Sequence, residues 1–81
     1  MILSLRPVRL ATGNSDETGC RVFADDRLVA VLVQLSEAHD SMAGHWFLEA
    51  GFNRRLEEPV EPTFADLDAA QGWIARRLGP G

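Results

Sequence analysis

Residues 27–35 read RLVAVLVQL, apolar at both parities: Val29, Val31, Val33 and Leu35 alternate with Leu28, Ala30 and Leu32. A strand that is apolar on both faces is one covered from both sides, so this segment predicts the central strand of a sheet. Residues 20–24 precede it across Asp25 and Asp26, a spacing that suits a two-residue hairpin. Residues 45–52 alternate again, with Trp46, Leu48, Ala50 and Phe52 on one face and His45, Phe47 and Glu49 on the other. Residues 2–10 are rich in branched apolar side chains but are broken by Pro7. Lacking an N–H, proline belongs at sheet edges and bulges, so this stretch predicts a kinked edge strand.

Near the C-terminus the period changes from two to 3.6. Over residues 63–78, Phe64, Leu67, Ala70, Gln71, Ile74, Ala75 and Leu78 fall on one arc of a helix. Thr63 is suited to cap its start, with Asp66 three residues on, and Gly79 and Pro80 supply a stop. Residues 12–19 collect Gly, Asn, Ser and Asp and predict a loop, as do the polar connection 36–44 and the proline- and glutamate-rich stretch 53–62. The order β-β-β-β-α predicts an α+β two-layer sandwich, in which an antiparallel meander of three to four strands packs on one C-terminal helix. With 81 residues and no internal repeat or linker, residues 1–81 form one small domain with a single core.

Charge and composition narrow the functional classes. The formal net charge of −4 opposes non-specific nucleic-acid binding, which needs a surplus of cations to release counterions from phosphates. Every basic residue is Arg, a usage that reflects GC-rich coding rather than a binding signal. Cys20 stands alone, so no intramolecular disulfide is available and the simplest compartment is the reducing cytoplasm. The apolar start, residues 1–5, is too short for a signal core or a membrane span. No membrane partner is expected.

No catalytic constellation is recognisable. Glu37, His39, Asp40 and His45 carry possible metal ligands, but their spacing matches no zinc motif, and they read as surface residues. A metal-dependent enzyme built on His39, Asp40 and His45 is the weakest of the functional readings. Cys20 or Ser41 as a nucleophile lacks a third group and oxyanion donors in the sequence. Gly13 and Gly19 have the wrong spacing for a phosphate loop. The expectation is a non-enzyme with no metal and no cofactor.

Partner contact is the more informative question. One helix of about four turns covers one side of a four-stranded sheet, yet the central strand is apolar on two sides. Leu28, Ala30 and Leu32 therefore form a candidate self-association face, and a homodimer is the expected cover. Trp73, Arg76 and Arg77 on the helix, with Arg54 and Arg55 in the preceding loop, are candidate partner contacts, since Trp and Arg commonly anchor interfaces. The alternative use of the paired arginines is phosphate or nucleic-acid binding. Against it, Arg76 and Arg77 occupy a last helical turn that favours positive charge, and Glu57, Glu58 and Glu61 offset Arg54 and Arg55. Trp73 also suits packing over the sheet margin or over Trp46.

The phrases VFADDRLVAVLV, GHWFLEAGF and PTFADLDAAQGWIARRL together resemble short bacterial proteins of unknown function, over most of the chain. That resemblance implies a sheet followed by one C-terminal helix, and no activity. The three-strands-then-helix half is also similar in architecture to the arm-type DNA-binding domains of tyrosine integrases. Those domains read DNA from a polar, basic sheet, whereas the strands here are apolar and the chain is acidic. The functional expectation is a non-enzymatic, self-associating interaction or accessory module.

Overall fold

A computed structural model describes residues 2–11, 18–36, 41–57 and 62–79. Five antiparallel strands lie in chain order, β1 (Leu3–Arg9), β2 (Thr18–Ala24), β3 (Arg27–Gln34), β4 (Trp46–Gly51) and β5 (Thr63–Phe64), followed by one helix, α1 (Leu67–Leu78). The predicted meander and terminal helix are both present. The sheet has one strand more than expected, because residues 63–64 pair with β4 instead of opening the helix.

That pairing moves the helix cap. Asp66 is the N-cap residue, its carboxylate accepting the Ala69 N–H at 2.7 Å. A carboxylate there satisfies an otherwise orphaned donor and offsets the helix dipole. Thr63 is instead the ladder partner of Phe47. Gly79 ends the helix at φ 76°, a left-handed conformation that suits glycine. β2 likewise starts earlier than expected, taking in Thr18 and Gly19.

The β2–β3 hairpin turns at Asp25 and Asp26, as the pattern requires. Asp25 adopts φ 56°, which aspartate tolerates better than most residues, and its carboxylate accepts the Ile2 N–H at 3.1 Å. The stretch after β4 holds a 3-10 helix at Arg54–Leu56, whose Leu56 is 1 % exposed. An apolar plug therefore interrupts the expected solvated loop.

Two bulges decide which side chains face the helix. Val22 pairs with Ala30 but Phe23 pairs with Leu28, so Val29 is an extra residue on β3. Val31 pairs with Ala50 but Leu32 pairs with Leu48, so Glu49 is an extra residue on β4. Each bulge reverses the alternation beyond it. Val29 joins Ala30 in the core, Leu28 turns to the opposite side, and Ala50 leaves the Trp46–Leu48 face for that of Phe47.

The core forms where the inner sheet face meets α1. Cys20, Val22, Val29, Ala30, Leu32, Trp46, Leu48, Leu56, Phe64, Ala70 and Ile74 make one cluster, with Leu3, Leu5, Leu67, Trp73 and Leu78 packed around it. Val22, Ala30, Leu32, Ala70 and Ile74 are fully enclosed. Burying a side chain such as Leu32 or Ile74 contributes about 1.5–3 kcal/mol.

Candidate interaction face

The sheet has a second side that α1 does not reach. Its rows follow from the register: Ser4, Phe23 and Leu28; then Arg6, Arg21, Val31 and Ala50; then Val8, Gly19, Val33, Phe47 and Thr63. Leu28 is 36 % exposed, Phe23, Val31, Phe47 and Ala50 are half-buried, Arg6 and Arg21 are exposed, and Gly19 and Val33 in the third row are already buried. The result is a mostly apolar face with one pair of cations.

The expected self-association trio is therefore divided between two sides. Ala30 and Leu32 are fully buried on the helix side, while Leu28 alone belongs to the open side. The physical reason is the Val29 bulge, since one inserted residue exchanges the faces of everything on its far side. An apolar segment hides such an insertion because its pattern reads alike on both parities.

Arg6 and Arg21 are direct cross-strand partners, and both guanidinium groups lie over Phe23, at 5.0 Å and 5.9 Å from the ring centroid. Such contacts hold a cation against a ring face by its quadrupole. Arg6 and Arg21 are 15 positions apart and belong to no doubled cation, so no local pattern marks them as a pair. The signal was present in the alternation of Cys20, Val22 and Ala24 against Arg21 and Phe23.

Three of the other candidate contacts, Arg55, Arg77 and Trp73, have partners within the chain. Arg55 donates from Nη1 to the Leu78 carbonyl at 2.8 Å and so caps the C-terminus of α1. Arg77 lies 5.0 Å from the Trp73 ring, and Trp73 packs on Phe64 with centroids 5.5 Å apart. Trp73 thus packs over the sheet margin at β5, against Phe64 and the core cluster that holds Trp46. Arg54 and Arg76 are exposed.

Among the described residues, few groups suited to chemistry come together. Glu37, His39 and Asp40 lie outside the described residues; His45 is half-buried, and its Nδ1 is enclosed with no hydrogen-bond partner among the described residues. Among those residues, no group of three His, Cys, Asp or Glu side chains could hold a metal ion. Cys20 is 3 % exposed, its thiol directed at the Arg21 carbonyl at 3.8 Å. Burial pushes that thiol above its ordinary value of 9.0, partly offset by the Arg6 backbone N–H, which is the opposite of an activated nucleophile. Ser41 is exposed. A cleft at the hairpin end is lined by Ala24, Val29, Leu78, Asp25, Asp26, Arg27 and Asn53, and Asp25 is already engaged by Ile2.

No helix among the described residues is long and apolar enough to cross a membrane. Comparison with protein-family models, curated proteins and solved structures finds no match to this chain.

Proposed function

We propose that this chain is a non-enzymatic cytoplasmic interaction module that associates with a second copy of itself through the open face of its sheet. The observation that carries the proposal is the apolar surface left on the side away from α1, where Phe23, Leu28, Val31 and Phe47 lie within three adjacent rows. Water contact with such a surface is unfavourable by about 25 cal/mol per Å2, and a domain of this size gains proportionately from covering it. A homodimer reuses one patch twice, so a single surface supplies both halves of the contact.

Phosphate binding through Arg54, Arg55, Arg76 and Arg77 has less support, because Arg55 serves the Leu78 carbonyl and Arg77 rests on Trp73. Sedimentation across a micromolar concentration series tests the proposal. The expected result is a mass of two chains that Leu28→Asp reduces to one while the circular dichroism spectrum is unchanged. A single-chain mass for the unaltered protein throughout that range would refute it.

A further inference from the structure

The open face carries a charge pattern that says how a second copy would sit. Arg21 on β2 pairs with Val31 on β3, and Val31 pairs with Ala50 on β4. Glu49 is the extra residue immediately before Ala50, as Val29 is the extra residue immediately before Ala30. In a bulge two residues of one strand oppose a single residue of the other, and Val29, opposed with Ala30 to Val22, does lie in the core with Ala30. Glu49 therefore lies on the open side with Ala50, and it is exposed. One row thus runs from two cations, Arg6 and Arg21, through an apolar centre at Val31, to an anion at Glu49.

We infer that two copies dock open face to open face about a two-fold axis running along β3, with Arg21 of each chain meeting the partner's Glu49 and Val31 packing on its own counterpart. The inference rests on the self-association proposed above and names its geometry. A two-fold axis along β3 lays β2 of one chain over β4 of the other and keeps each row at its own level. Neighbouring strands are about 4.8 Å apart and packed sheets about 10 Å apart. Arg21 and Glu49 are thus equally displaced, by one strand spacing, on either side of the axis, and long side chains from the two sheets close the gap. The arrangement also answers the charge doublet. Arg6 and Arg21 are directly opposed like charges, which destabilise a sheet, and neither has an ion-pair partner among the described residues. An incoming carboxylate relieves that repulsion, and the contact occurs twice because the interface is isologous.

Charge reversal tests the pairing. Arg21→Glu and Glu49→Arg are each expected to weaken the dimer at least about tenfold in sedimentation, with the double variant R21E/E49R recovering to within about threefold of the unaltered protein. Recovery in the double variant separates the pairing from simple misfolding of either single variant. A dimer that ignores both reversals but is split by Leu28→Asp would overturn this arrangement and leave the proposed face standing. Loss in both single variants without recovery would likewise overturn it. A monomer at every concentration would leave the face to a different protein, overturning both the arrangement and the self-association beneath it.

Discussion

Arg6 and Arg21 face each other across the β1–β2 ladder with their guanidinium groups on one aromatic ring, that of Phe23. The ring attracts each cation while the cations repel each other, so the sheet tolerates a local conflict at an exposed site. Converting one partner to a carboxylate replaces repulsion with attraction. Arg21 has the longer contact with Phe23 and loses less on replacement. Arg21→Glu is expected to stabilise the monomeric fold by about 0.5 kcal/mol, within the range of cross-strand charge pairs. Urea denaturation of dilute protein, compared with Arg21→Ala, measures it; equal midpoints for the two variants would show that the pair is not electrostatically coupled.

Two glycines are expected to respond in opposite directions to the same substitution. Gly72 lies inside α1, where an added Cβ would meet only the Arg76 Nη1, at 3.4 Å, among the described residues. Gly72→Ala should therefore stabilise by about 0.5–1 kcal/mol through helix propensity. At Gly51 an added Cβ would stand 3.0 Å from the Leu56 Cβ, the rigid stem of an enclosed side chain. Gly51→Ala should cost about 1–3 kcal/mol by overpacking. Thermal unfolding of the two variants side by side distinguishes the packing at these sites.

The position of the helix cap is open to a similar comparison. Asp66→Ala removes the acceptor of the Ala69 N–H and should cost about 1 kcal/mol. Thr63→Ala, at an exposed ladder position, should change stability by less than about 0.5 kcal/mol. Were the larger loss to follow Thr63→Ala, the helix would begin where its apolar period first suggests.

Cys20 links stability to alkaline pH. Its thiol is held above the ordinary value of 9.0 by burial, so the unfolded chain gives up this proton first as pH rises. The associated stability is fully present below that value and is lost progressively above it, towards the folded-state value. The chain has no Lys and no Tyr, which leaves Cys20 as the side chain titrating in this window. Denaturation midpoints should fall from about pH 9 upwards in the native protein and stay level in Cys20→Ala. A disulfide reagent should correspondingly label Cys20 only as fast as the structure opens. Rapid labelling of the folded protein would contradict its enclosure.

Much of this architecture was legible from local pattern. An unbroken apolar run marked β3, alternation marked β4, Asp25 and Asp26 marked the hairpin, and the change to a 3.6 period marked α1, because each signal is carried by neighbours in the chain. Tertiary structure decided what those elements present to each other. Val29 and Glu49 each add one residue to a strand, and the resulting reversal of faces depends on hydrogen bonding to a neighbouring strand. Residues 63–64 have helical periodicity, yet pairing with Trp46 and Phe47 draws them into the sheet and passes the cap to Asp66. Arg6 and Arg21 became a pair for the same reason. Local order in the sequence specifies strands and helix, whereas the side on which a residue emerges, and whom it meets there, is settled only when the ladders form.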